Sequence, residues 1–113
     1  MACIFCEIVE GKRPSRTLRA DDQVVAFHDV RPQAPVHVLV VPRRHVTSLL
    51  DVEPGDDGIL GAMVRTARDL ARELGLGERG FRLVINCGDD AGYSVYHIHL
   101  HLLGGRALGW PPG

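Results

Sequence analysis

No run of apolar residues in this 113-residue chain approaches the roughly 20 needed to span a bilayer. Nor is there a charge imbalance. Thirteen Lys and Arg stand against fourteen Asp and Glu, a formal net charge of -1, and the longest basic cluster is Pro42-Arg43-Arg44-His45. Such a surface has no electrostatic footprint for a polyanion, which removes nucleic acid from the expected partners. Cysteine is scarce too, and three, an odd number, argue against a disulfide framework. Internal repeats and low-complexity linkers are missing. Met1-Ala2-Cys3 leads into a structured-looking segment without a charged n-region or apolar h-region, so a cytoplasmic location with no membrane partner is expected. The length and the 45% hydrophobic content suit one domain over residues 1–113 with a modest core.

What is present reads as several strands, one helix and two more strands. Ile4 to Val9 predicts a short helical turn ended by Gly11 and Pro14, Arg16 to Ala20 a strand entering the turn Ala20-Asp21-Asp22, and Val24 to Phe27 a compact apolar strand. Val36 to Val41 is a β-branched run that stops at Pro42 and is expected to be central. Between Asp56 and Gly75 the residues Ile59, Leu60, Met63, Val64, Ala67, Leu70, Ala71 and Leu74 recur at helical spacing. Phe81 to Cys87 and Val95 to Leu103 are the last two strands, with Gly88 to Gly92 as the turn between them. This order predicts an α+β fold with a mainly antiparallel sheet.

The last of these strands carries His97-Ile98-His99-Leu100-His101-Leu102-Leu103-Gly104-Gly105. A strand sends alternate side chains to opposite faces, so His97, His99 and His101 share one face while Ile98, Leu100 and Leu102 share the other. Three stacked imidazoles repel one another when protonated and each needs a hydrogen-bond partner when neutral, so without a use they cost stability. Two uses stay open: metal ligation, and nucleophilic or acid-base chemistry on one oriented imidazole. Gly104-Gly105 would let a backbone turn or a ligand come close.

The stretch Ser94-Val95-Tyr96-His97-Ile98-His99-Leu100-His101-Leu102-Leu103 has the pattern His-φ-His-φ-His-φ-φ, with φ hydrophobic, and resembles the signature of the histidine triad (HIT) family. Phe27-His28-Asp29-Val30, Pro32-Gln33-Ala34-Pro35-Val36-His37, Pro42-Arg43-Arg44-His45 and Leu83-Val84-Ile85-Asn86 resemble its Hint branch, the nucleotide-binding purine nucleoside phosphoramidases. So does the ending from Leu103-Gly104-Gly105-Arg106 to Trp110-Pro111-Pro112-Gly113. The resemblance runs from Cys3 to the last residue. It implies a single HIT domain, residues 1–113, with a HIT-like α+β fold: a five-stranded, mainly antiparallel sheet, one long and one short helix, and sheets joined across a homodimer.

The implied activity is hydrolysis of the P–N bond of a purine nucleoside 5'-phosphoramidate, such as an AMP-amide or AMP-lysine adduct, with no metal required for catalysis. By the resemblance, His99 is the nucleophile that forms a nucleotidyl-histidine. His101 contacts a phosphate oxygen, His97 and His37 set tautomer and protonation, and Ser94 contacts the phosphate or the leaving amine. Asp29 would accept the ribose hydroxyls, and Asn86 would lie by the phosphate and ribose. Phe5, Ile8, Phe27, His28 and Val30 would form the apolar slot for a purine, as in AMP or GMP. Two other readings are a nucleotide-binding, regulatory protein with little turnover, and a dinucleoside polyphosphate hydrolase of the same family.

Cys3-Ile4-Phe5-Cys6 has the C-x2-C spacing of a zinc half-site. The resemblance completes it with His45 and His97, a structural zinc that ties the N-terminus to the catalytic strand. Cys87 reads as a strand-end core residue. Position 93, usually glutamine in the Hint branch, is tyrosine here, and if Tyr93 faces the leaving group the accepted amine changes. Trp110, in a proline-rich tail, is expected to dock on a partner copy.

Overall fold

The computed structural model describes residues 3–113 and builds one sheet with a helix on each face. The strands are β1 (Thr17–Ala20), β2 (Val24–His28), β3 (Val36–Pro42), β4 (Phe81–Val84) and β5 (Leu100–Gly104). Their order across the sheet is β1-β2-β3-β5-β4, and each neighbouring pair is antiparallel. β3 is central, as its β-branched sequence predicts, with Leu39 opposite both Phe27 of β2 and His101 of β5. β1 and β2 form a hairpin because the Asp21 carboxylate accepts the backbone N–H groups of Gln23 and Val24, both at 2.8 Å.

The two faces bury different residues. Val24, Ala26, Val38, Val40, Leu100 and Leu102 point toward α2 (Asp57–Glu73), which covers them with Ala62, Met63, Ala67, Leu70 and Ala71. Three alanines on that helical stripe let its backbone approach the sheet closely, while Val64, about 100° round the helix from Met63, stays exposed. The helix stops at Gly75, whose φ of +78° allows the Leu76 N–H to reach back to the Ala71 carbonyl at 2.8 Å. On the other face Val25, Phe27, Leu39 and Val41 pack against Phe5 of α1 (Ile4–Val9).

β1 begins one residue later than expected, β2 and the end of β5 run one residue further, and three other boundaries differ for reasons the backbone shows. β3 continues through Pro42, which sits at the end of the ladder opposite Val24, where its missing N–H is not needed. β4 ends at Val84, so Cys87 lies beyond the strand and is only partly buried. β5 begins at Leu100 because the preceding backbone bonds elsewhere: His97 N–H donates to Val95 at 3.0 Å and Ile98 N–H to Val46 at 2.7 Å. The alternation nonetheless holds, with Ile98, Leu100 and Leu102 in the core under α2.

The glycine pair is accounted for by packing. A Cβ on Gly104 would come within 2.7 Å of Leu76, and Gly105 turns the backbone at φ +91° with Pro35 2.9 Å from where its Cβ would be. Neither lines the cleft described below. No helix among the described residues is long and apolar enough to cross a membrane.

Candidate active site

The histidine row divides its labour along its length. At one end His97 is fully buried and turns away from the cleft, toward the start of α1. Its Nδ1 lies 3.4 Å from Cys3 Sγ, 3.5 Å from Cys6 Sγ and 3.2 Å from His45 Nδ1, and Cys6 Sγ is 3.2 Å from His45 Nδ1. All four donor atoms fall within 4.8 Å of one another. A tetrahedral zinc with bonds of about 2.3 Å to sulfur and about 2.0–2.1 Å to nitrogen needs donor separations of about 3.3–3.8 Å; the four here, 3.2–3.5 Å, lie within or about 0.1 Å short of that range, and two thiols with two imidazoles suit that ion. The far side of the ring agrees. His97 Nε2 is 2.8 Å from the Pro42 carbonyl, so that nitrogen carries the proton and Nδ1 keeps its lone pair for a cation. Burial lowers the proton affinity of His97 as well, which favours the neutral ring that ligation requires.

His99 takes its orientation from its neighbour. Its Nδ1–H donates to the His97 carbonyl at 2.8 Å, which leaves the lone pair on Nε2. Phe5 meets the ring edge-on, with centroids 5.0 Å apart, and burial lowers its proton affinity. It is a neutral imidazole held at a fixed angle.

A series of tautomers leads to His101. Gln33 N–H donates to His37 Nδ1 at 3.0 Å, so the proton of neutral His37 sits on Nε2. That N–H lies 2.8 Å from His101 Nδ1 and 3.4 Å from Asp29 Oδ2. His101 Nδ1 is thus an acceptor and its Nε2 a donor, yet His101 Nε2 is buried with no hydrogen-bond partner among the described residues. An unpaired buried donor is costly unless an acceptor arrives, and an anionic oxygen would satisfy it. Burial, with the neighbouring His99 and His37, pushes His101 down to about 4 from an ordinary 6.5. Burial lowers His37 too, against the pull of Asp29.

These rings open onto a cleft of about 640 Å3, within the ~300–1,000 Å3 typical of small-molecule sites. It brings together Phe5, Ile8, Phe27, His28, Asp29, Val30, His37, Ser94, His99 and His101 of the residues singled out by sequence. Phe5 and Phe27, at 5.7 Å and 62°, form one wall, while Val30 is 91% exposed at the rim. Asp29 is fixed through its other oxygen by Arg31 N–H at 2.9 Å. Asn86 does not join them. Because β4 ends at Val84 on the far side of β5, Asn86 lines a separate groove with Arg82, Arg106 and the C-terminal tail.

Tyr93 does not line the cleft either, so it does not face a leaving group there. Its ring is 5% exposed and stacks on His99 at 5.5 Å and 19°, and its hydroxyl donates to the Thr47 carbonyl at 2.6 Å. Sequence reasoning does not single out Arg13, Ser15, Arg31 or Leu39, which also line the cleft. It misses the roles of the Gln33 N–H and of the Pro42 and Thr47 carbonyls. The last three are backbone groups, which almost any residue type could supply, so the sequence holds no signal for them.

Residues 10–108 match the HIT domain family, and the chain belongs to that family. Two plant proteins are each 47% identical over 112 residues and 97% of this chain: the 14 kDa zinc-binding protein of Brassica juncea, 98% covered, and Adenylylsulfatase HINT1 of Arabidopsis thaliana, 76% covered. Among solved structures, a HIT family hydrolase from Legionella pneumophila Philadelphia 1 superposes with a TM-score of 0.97 at 46% identity, over 99% of this chain and 100% of that one. The likeness to HINT1 supports the Hint branch within the family.

His101 also links stability to pH. Its folded-state value, about 4, lies below the unfolded 6.5, so its contribution is complete above about 6.5 and is lost as pH falls toward 4. Thermal melts between pH 7.5 and 4 will show a falling midpoint in that window, with a shallower fall in His101→Asn. Parallel curves for the two proteins would contradict this.

Proposed function

We propose that this protein hydrolyses purine nucleoside 5'-phosphoramidates through a covalent nucleotidyl intermediate on His99. The observation that carries the reading is the pairing of a neutral His99 with its lone pair on Nε2 and a buried, unsatisfied His101 Nε2–H beside it. A nucleophile and an anion-seeking donor on adjacent inward positions are what attack at an anionic phosphorus requires. Nε2 of His99 forms a bond to the α-phosphorus, the P–N bond breaks, and the amine departs with a proton taken from solvent. Water then attacks the same phosphorus, the P–Nε2 bond breaks, and the nucleotide and one proton are released. His101 donates to a phosphoryl oxygen throughout, with its tautomer held by His37 and, behind that, by Gln33 N–H. Ser94 contacts the phosphoryl group or the leaving amine, Asp29 accepts the ribose hydroxyls, and the wall of Phe5, Ile8, Phe27 and His28 takes the purine. His97 acts through its carbonyl, and no cofactor takes part in the displacement.

The Arabidopsis relative is named an adenylylsulfatase, so the leaving group is what the assay must vary. With an adenosine 5'-phosphoramidate bearing a fluorogenic amine, the native protein turns over, and His99→Ala loses about a thousandfold or more while still binding AMP. If both proteins bind AMP and neither turns over, even with adenylyl sulfate or a dinucleoside polyphosphate, the protein is a nucleotide binder rather than a hydrolase.

Cys3, Cys6, His45 and His97 hold a structural zinc in this reading, supported by the donor geometry and by the zinc-binding Brassica relative. The ion would supply cross-linking of α1 to the segment before β5. Protein purified without chelator will contain about one equivalent of zinc, and Cys6→Ser will lose it and melt lower. Less than a tenth of an equivalent in the native protein rejects the site.

The functional unit is a homodimer. β4 is an edge strand with Phe81 exposed, and Trp110 is 81% exposed beside Arg82, whose guanidinium lies 5.8 Å from the indole centroid. Both features call for a covering surface, and a second copy joined along β4 would supply one. Sedimentation at micromolar concentration will give twice the protomer mass of 12.4 kDa, and a monomer there would refute the assignment.

A further inference from the structure

The histidine row leaves one conspicuous side group without a task. Tyr93 is buried, does not line the cleft, and commits its hydroxyl to a backbone carbonyl of the loop after β3. Its ring is nonetheless stacked on His99, 19° from parallel. Around that imidazole the restraints are complementary. The Nδ1–H bond to the His97 carbonyl fixes one ring atom, Phe5 meets the ring edge-on, and His101 lies 5.0 Å away at 59°. Of these three rings, the tyrosine is the one that lies nearly parallel to the imidazole, and so it lies against its face and resists rotation of the ring out of its own plane. The tyrosine is itself held at two points, by Thr47 through the hydroxyl and by Tyr96, which meets it edge-on at 5.4 Å. The segment carrying Thr47 is tied to the row by the Ile98 N–H bond to Val46.

We propose that Tyr93 is the positioning residue of His99: its ring holds the imidazole plane in which Nε2 attacks and favours the positive charge that the imidazole acquires in the covalent intermediate. The proposal rests on His99 being the nucleophile. When Nε2 bonds to phosphorus while Nδ1 keeps its proton, the ring becomes a cation, and it returns to neutral when water displaces it. An aromatic face against a desolvated cation favours it by a factor of about ten or more, whereas the amide of a glutamine at this position has no aromatic ring quadrupole to offer.

The test is rapid-quench, single-turnover formation of the nucleotidyl-enzyme from a fluorogenic adenosine 5'-phosphoramidate, with AMP affinity measured alongside. Tyr93→Leu and Tyr93→Gln will form the adduct about tenfold more slowly than the native protein, the size expected for a lost cation–aromatic contact. AMP affinity in both will stay within about twofold, since the ring lies outside the cleft. Tyr93→Phe, which keeps the ring and drops the hydroxyl, will recover most of the rate. If Tyr93→Leu does not fold, Tyr93→Gln carries the comparison, because it places the residue usual in the branch at this position.

Adduct formation at the native rate in the Leu or Gln variants overturns the proposal and leaves His99 as nucleophile. Equal slowing in the Phe variant overturns it too, since the hydroxyl anchor rather than the ring would then be responsible. Failure of the native protein to form any adduct, while the His99→Ala and native proteins turn over alike, overturns both this proposal and the reading on which it rests.

Discussion

The orientation of His99 at the floor of the cleft depends on one ring that faces away from it, His97. It uses three groups in three directions. Nδ1 meets the two cysteines and His45, Nε2–H meets the Pro42 carbonyl, and the backbone carbonyl receives Nδ1–H of His99. An imidazole committed on both nitrogens cannot change tautomer without breaking a buried hydrogen bond, so the carbonyl it carries is a rigid acceptor. The direction of His99 Nε2 is inherited from there.

That arrangement explains why the sheet departs from simple pairing where it does. A strand continuing back to Val95 would commit the N–H groups of residues 97 and 98 to a neighbouring strand. Here they bond to Val95 and to Val46, and the released segment lets His97 reach α1 and the loop carrying His45. α1 has only six residues, too few to be stable alone, and is held by Phe5 against the sheet and by its cysteines against His97. The Phe5 wall of the cleft and the His99 ring therefore share one anchorage.

Much of this is legible in the sequence, and the illegible part has a common cause. The alternation of His97, His99 and His101 with Ile98, Leu100 and Leu102 depends only on side-group direction, which survives even where the ladder is absent. Apolar alternation continues through a segment whose backbone bonds go elsewhere, so it places the start of β5 too early. Cys3-x-x-Cys6 announces half a metal site, but its partners lie 39 and 94 positions away and come only from family resemblance. The motif around Asn86 groups it with the cleft, yet a strand that stops at Val84 carries it to another groove. The tautomers of His37 and His97 are set by a backbone amide and a backbone carbonyl, groups that side-group patterns do not record.

The sheet also works as a partition. Val38, Val40, Leu100 and Leu102 face α2, while His37, Leu39, His99 and His101 face the cleft, and none of these residues serves both sides. The contacts that hold the long helix can be exchanged without altering a side chain that lines the cleft. Stability and the character of the cleft are in this way written on alternate residues of the same strands.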